Sequence, residues 1–370
     1  MLKRSKAPAG TLLVLEHESK ILKGNPLGDP HARKVAVWLP PQYDHAGRRG
    51  FPVLYDLVGF TGSGLSHTGW KPFSDNVPER AARLIHEGKM GPVILVFPDC
   101  YTALGGNQYV NSSAIGNYAD YLTREIIPFV DGEFRTLADR RHRGCFGKSS
   151  GGYGAILHGM KYSKYWGAVA SHSGDAYFDF VYWCDWPNTL NELQKHRVPA
   201  RREGRYDARR ESARKGPGGG ISEGLDDGRI RRFLRHVWQK EKVSTAEGHC
   251  IMNLCMAATY DPDPRAPNGF RVPFNLETGE LIAERWRNWR RHDPVNLVGR
   301  YRAHLRSLRG IYVDCGWRDQ YQIHYGSRIL SKRLAAAGIR HAYEEFDDNH
   351  SDIDYRMDVS LPFLYKALKP

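Results

Sequence analysis

Short runs of strand length punctuate the chain. Val35 to Leu39, Pro52 to Val58, Val93 to Pro98, Arg143 to Lys148, Trp166 to Ser171, Gly310 to Cys315 and Ala342 to Phe346 read as buried strands. Longer amphipathic segments lie between many of them. One opens at Pro78-Glu79-Arg80, with proline in its first turn, and closes at Gly88. A second spans Asn117 to Val130, with Tyr118, Tyr121, Leu122, Glu125, Ile126 and Phe129 at helical spacing. A third runs from Gln322 to Ala337 and stops at Gly338. Strands alternating with helices predict an α/β fold, a mostly parallel central sheet with helices on both faces.

The alternation breaks after about residue 175. Tyr177, Phe178, Phe180, Tyr182, Trp183 and Trp186 follow, then a basic, glycine-rich stretch, a helix from Asp227 to Lys240, Pro262-Asp263-Pro264, and Trp286 and Trp289. This predicts a core in two parts, 1–175 and 295–370, with 176–294 as a large insertion or cap on the sheet's functional edge. No internal repeat is visible. Between Arg197 and Lys215 eight basic residues stand against Glu203, Asp207 and Glu211, and Gly216-Pro217-Gly218-Gly219-Gly220 follows. Such a segment resists helix and strand alike, so 197–220 is expected to be a mobile, solvated loop dispensable for chemistry.

That loop changes the meaning of the net charge. The 370 residues carry 54 Lys and Arg against 41 Asp and Glu, a balance of +13. Much of the excess is local, and few aromatics interleave with it for base stacking, so nucleic acid is not the expected partner. Hydrophobic residues make up 41% and charged residues 26%, enough to build a core. No apolar run reaches the length of a membrane span, and the basic start Met1-Leu2-Lys3-Arg4-Ser5-Lys6 precedes too short an apolar stretch for a signal peptide. A cytoplasmic protein with no membrane partner is expected. Cys100, Cys145, Cys184, Cys250, Cys255 and Cys315 form no CxxC pair, and His249 beside Cys250 completes no zinc site; reduced core thiols are expected.

The candidate chemistry centres on Gly147-Lys148-Ser149-Ser150-Gly151, a G-x-S-x-G between a predicted strand and a predicted helix from Ala155 to Met160. Glycines there let the chain turn sharply and hold the serine hydroxyl proud of the sheet. The bland alternative is an ordinary glycine-rich turn. A serine nucleophile needs a base, and the base an orienting acid. His350, in the polar loop past the last strand, is the candidate base; His172, also just past a strand, is its rival and is expected to line the substrate pocket instead. The acid is Asp319 or Asp314. Asp314 lies inside a strand run, whereas Asp319 lies in the turn beyond it, which favours Asp319. Phe60, in the turn after Tyr55-Asp56-Leu57-Val58-Gly59, and Ser150 are the candidate backbone donors of an oxyanion hole. The aromatics Tyr177, Trp183 and Trp317 join His172 as expected substrate contacts, with packing of the insertion onto the sheet as the alternative use of the insertion's aromatics.

Taken together, Arg33-Lys34-Val35-Ala36-Val37-Trp38-Leu39-Pro40-Pro41-Gln42-Tyr43-Asp44, the Tyr55 to Phe60 loop, Glu125-Ile126-Ile127-Pro128-Phe129-Val130-Asp131, the Ser149 elbow, Gly316-Trp317-Arg318-Asp319 and His350 resemble the esterase D / enterochelin esterase-like branch of the α/β-hydrolases. The resemblance covers roughly residues 20 to 175 and 295 to 368. It implies an α/β-hydrolase fold and a serine carboxylic ester hydrolase with a Ser149, Asp319, His350 triad, no metal and no cofactor; its spacing of glycine and acid also picks Asp319. The expected partner is a small ester, apolar or aromatic-bearing, and a homodimer is compatible with this class. Two features depart from the family: Val58 stands before Gly59 where relatives often have histidine, and Lys148 and Ser150 flank the serine where histidine and methionine are common. The alternatives are an S-formylglutathione hydrolase-like thioesterase, acyl transfer to another alcohol, a non-enzymatic binding protein on the same scaffold, and nucleic-acid binding through the basic loop.

Overall fold

The computed structural model describes residues 7–198 and 226–370, so most of the basic 197–220 stretch lies outside the described residues. The strands are β1 (Thr11–Glu18), β2 (Ala32–Leu39), β3 (Val53–Leu57), β4 (Ile94–Pro98), the two-residue β5 (Asn111–Ser112) and β6 (Gly116–Asn117), β7 (Arg143–Lys148), β8 (Ala168–His172), β9 (Gly310–Gly316) and β10 (Ala342–Phe346). Eight of them form one sheet in the order β1-β2-β4-β3-β7-β8-β9-β10, and β5 and β6 pair separately. β2 runs antiparallel to β1 and β4; every neighbouring pair from β4 to β10 is parallel.

The longer helices are α1 (Val77–His86), α2 (Ser150–Lys161), α3 (Trp186–Gln194), α4 (Arg229–Trp238), α5 (Thr245–Tyr260), α6 (Ala283–Arg290), α7 (Ile323–Ala336) and α8 (Met357–Leu368). A further helical run over 118–133 turns π-helical at Tyr121–Ile126, just before Pro128, which has no N–H to continue an α-helical ladder.

Strand residues alternate between two apolar layers. Val53, Tyr55, Ile94 and Val96 pack with Tyr153, Ile156, Leu157 and Leu330 on one face. Leu54, Leu95, Phe97 and Phe146 pack with Ala81, Leu84, Leu361 and Leu364 on the other. β3, β4 and β9 are buried at every position because both faces are covered. β10 is only partly buried, since it is the last strand of the sheet; its sequence, Ala-Tyr-Glu-Glu-Phe, fits an edge. β1, the opposite edge, has no counterpart among the predicted strands: it leaves Leu12, Leu13 and Val14 exposed and so lacks a burial pattern.

Parallel order brings the carboxyl ends of β3, β7, β8, β9 and β10 to one edge. In the register of β8 and β9, His172 stands beside Asp314. Their side chains are wholly buried and joined, His172 Nδ1 to Asp314 Oδ1, at 2.7 Å. The other imidazole nitrogen meets Ser360 Oγ at 2.8 Å, while Arg356 Nε and the Tyr312 hydroxyl donate to Asp314 Oδ2 at 2.9 and 3.0 Å. The network fastens α8 and the turn before it to the sheet. Asp314→Asn removes the charge facing Arg356, and the expected outcome is a loss of about 3 kcal/mol in denaturant unfolding.

Candidate active site

The turn from β7 into α2 is sharp enough to need two glycines. A Cβ at Gly147 would stand 2.1 Å from the Leu57 carbonyl oxygen, and one at Gly151 only 1.6 Å from it. The end of β3 therefore lies directly against the elbow. Ser149, between them, has φ 56° and ψ −125°, a conformation that costs a non-glycine residue energy and marks functional turns. Its N–H donates to the His172 carbonyl at 2.9 Å, and its own carbonyl accepts from Tyr153 N at 2.9 Å. Backbone bonds on both sides thus hold the strained residue in place.

Ser149 opens onto a cavity of about 330 Å³, together with Phe60, Ser150, Asp175, Tyr321 and His350. His350 Nδ1 donates to Asp319 Oδ2 at 2.7 Å. The other oxygen of Asp319 accepts from Tyr321 N at 2.9 Å, so the carboxylate, 1% exposed, is fixed from two sides. Gln320 Oε1 accepts from His350 N at 2.9 Å, and the Tyr321 ring stands edge-on to the imidazole, with centroids 4.8 Å apart. No direct hydrogen bond joins Ser149 Oγ to His350 among the described residues; the two share the cavity.

Around the elbow, several backbone N–H groups are consumed by backbone acceptors. Thr61 N donates to Gly105 O, Gly62 N to Gly59 O and Ser149 N to His172 O. Phe60 N and Ser150 N have no backbone acceptor among the described residues, and both residues line the cavity. The Phe60 ring lies on Gly105 and Gly106, where a Cβ would sit 2.8 and 3.1 Å from it, and this contact fixes the turn. Ser150 begins α2 with no side-chain cap from Ser149, which leaves the helix N-terminus turned to the cavity as a source of positive potential.

Helix α5 supplies one wall. Thr245, Gly248, His249 and Met252, at i, i+3, i+4 and i+7, all line the cavity. The sequence reading did not identify this helix, although Ser244-x-x-Glu247 was a visible signal. It forms a reciprocal capping box: Glu247 N donates to Ser244 Oγ, and Ser244 N to Glu247 Oε2. Asp175, Val181, Tyr182, Ile323 and Lys148 were also missed as lining residues. Burial lowers the Lys148 ammonium from its ordinary pKa, against the pull of Asp354 and Asp352.

None of the four expected substrate contacts lines this cavity. His172 is sealed in the network under α8, with both ring nitrogens bonded. Tyr177 turns its ring onto Phe180, 4.6 Å away, while its N–H donates to Asp293. Trp183 is 43% exposed and packs beside Trp186 and Trp286. Trp317 is 49% exposed, under the Arg318 guanidinium. Within residues 176–294, Trp186, Trp286, Trp289, Tyr182 and Tyr260 pack edge to face as a buried aromatic group.

The family model described as "Putative esterase" matches residues 30–360. The chain belongs to that family. Esterase Rv1288 of Mycobacterium tuberculosis (strain ATCC 25618 / H37Rv) is 33% identical over 170 residues, 43% of this chain and 34% of the relative. The match thus spans about a third of the curated relative's length. Among solved structures, a ferulic acid esterase aligns with TM-score 0.57 and 18% identity over 97% of this chain and 98% of that one. An S-formylglutathione hydrolase from Agrobacterium tumefaciens aligns with TM-score 0.54 and 17% identity over 99% and 98%. These likenesses establish an esterase-type α/β-hydrolase fold for this family member.

The elbow of this esterase-family chain yields a direct test. Gly151→Ala drives a methyl group into the Leu57 carbonyl, and the backbone of β3 cannot yield without opening the sheet. The expected outcome is loss of at least about 3 kcal/mol of stability, or recovery only as insoluble protein, measured by denaturant unfolding of the soluble fraction.

Proposed function

We propose that this chain hydrolyses carboxylic esters through an acyl-enzyme on Ser149. The observation that carries the reading is the joint access of Ser149 and the Asp319-bound His350 to one cavity. In the mechanism, the Ser149 hydroxyl attacks the ester carbonyl carbon while His350 Nε2 takes its proton. Asp319 holds the imidazole by its Nδ1–H and stabilises the imidazolium that forms. The Phe60 and Ser150 N–H groups, left without backbone acceptors, bind the oxyanion of the tetrahedral intermediate. His350 then protonates the leaving alcohol. A water molecule, deprotonated by the same imidazole, attacks the acyl-enzyme and releases the acid, and the proton returns to Ser149.

Residues 176–294 act in this reading as a cap that selects the substrate, since α5, Val181 and Tyr182 supply much of the cavity wall. Phe60, Val181, Met252 and Ile323 make that wall largely apolar, which favours an ester with an apolar body. The likeness to an S-formylglutathione hydrolase keeps thioesters in the substrate screen.

Ser149→Ala is expected to abolish turnover of p-nitrophenyl esters with the unfolding curve unchanged, and a fluorophosphonate probe should label Ser149 alone. Labelling at Ser150, or full activity in the alanine variant, would end the proposal. Asp319→Asn should lower kcat by roughly 10³- to 10⁴-fold with a modest change in KM, since the amide favours the wrong imidazole tautomer. In Asp314→Asn, by contrast, the folded fraction should keep a near-normal kcat.

A further inference from the structure

One carboxyl group in the cavity takes no part in that chemistry. Asp175, three residues past the end of β8, is 6% exposed and lines the cavity with Ser149 and His350. Its Oδ2 accepts from Gln108 Nε2 at 2.8 Å and from the Tyr182 hydroxyl at 2.9 Å. Gln108 Nε2 is also 3.1 Å from the Tyr260 hydroxyl and 3.0 Å from Met256 Sδ, so the donors are themselves held by the cap. Gln108 and Tyr109 both lie in the left-handed region, with φ 55° and 57°. Two successive non-glycine residues there are a local strain that the surroundings must hold.

The other oxygen, Oδ1, has no hydrogen bond among the described residues, nor does Asp175 form an ion pair with any of them. Oδ1 is not sealed from solvent, and Asp175 lines the cavity. Asp29, Asp56, Asp185 and Asp261 also have one unpartnered oxygen, but theirs are sealed from solvent and none of the four lines this cavity, whereas Asp175 does. One oxygen is clamped, and the other is left as an acceptor on a residue that lines the cavity together with Val181, Met252 and Ile323. Burial raises the Asp175 pKa, and the bonds from Gln108 and Tyr182 oppose that rise by favouring the ionised form.

We propose that Asp175 is a specificity-determining residue that accepts a hydrogen bond from a donor, a hydroxyl or an ammonium, carried by the substrate's acyl chain. The inference rests on the esterase reading above. The acyl group is the part retained on Ser149 through both half-reactions, so it is the part that must fit the cavity under α5. A buried acceptor left unpaired by an analogue lacking the donor penalises that analogue more strongly than a missing methylene would.

The test compares methyl esters of unbranched acids of four to eight carbons with their ω-hydroxy and ω-amino counterparts. At the best-fitting length, kcat/KM for one donor-bearing series is expected to exceed that of the parent ester at least tenfold, and the better series identifies the donor. In Asp175→Asn, Gln108 and Tyr182 retain the side-chain oxygen and turn the amide NH₂ to the cavity, which replaces an acceptor by a donor. The ratio of donor-bearing to parent kcat/KM should then fall to about one or below. Absence of discrimination in the wild type at every length, or an unchanged ratio in the variant, would overturn the proposal; the wild-type comparison decides it even if the variant does not fold. Calorimetric binding of the corresponding free acids to Ser149→Ala separates the two readings. Tighter binding of the donor-bearing acid, with no ester hydrolysed by the wild type, would sink the esterase reading and keep the anchor. Equal binding of the acids would remove the anchor.

Discussion

The close approach of the β7–α2 elbow to the end of β3 is the contact on which the site depends. It places the strained Ser149 at the edge of the sheet and, through the same strand, positions the turn that presents Phe60. With no Cβ at Gly147 or Gly151, the Leu57 carbonyl can lie where a side chain would otherwise be. The strain at Ser149 is balanced by the backbone bonds to His172 and Tyr153, so it is stored in a part of the molecule with no freedom to relax.

Among the Asp–His pairs near this sheet edge, two share a 2.7 Å bond to imidazole Nδ1, Asp314 with His172 and Asp319 with His350. Geometry within the pair does not distinguish them; access does. Asp314 and His172 come from adjacent strands in register and end in a hydrogen bond to Ser360, sealed under α8. Asp319 and His350 come from loops beyond the strand ends, where the imidazole reaches the cavity. A Ser-His-Asp constellation with no route to substrate serves packing, here by tying the C-terminal helix to the sheet.

The insertion meets the core through aromatic rings more than through ion pairs. Its tryptophans and tyrosines are continuous with the apolar layer on one face of the sheet, and this packing carries α5 to the cavity. The residues of the insertion that face Ser149 are mostly not its large aromatics but small or flexible ones, Thr245, Gly248 and Met252, with His249 and Tyr182. The aromatics hold the wall in place and the helix face shapes it.

The sequence by itself determined the parallel core, because short buried runs between amphipathic helices have few other ways to hide both faces of a sheet. It also exposed the elbow, since two glycines around a serine between strand and helix leave a local signature, and it ranked His350 and Asp319 by their places in loops. Edge strand β1 was not legible, because a strand with one neighbour needs no buried pattern. The contacts of His172, Tyr177, Trp183 and Trp317 were misread for a related reason: residue type states that a ring or imidazole will be packed, not against what. Strand register settled His172 beside Asp314, and docking of the insertion set which face of α5 meets Ser149. Asp175 became visible only when Gln108, Tyr182 and Tyr260, far apart in the chain, were brought around it. Such choices depend on contacts between distant segments, which no local pattern encodes.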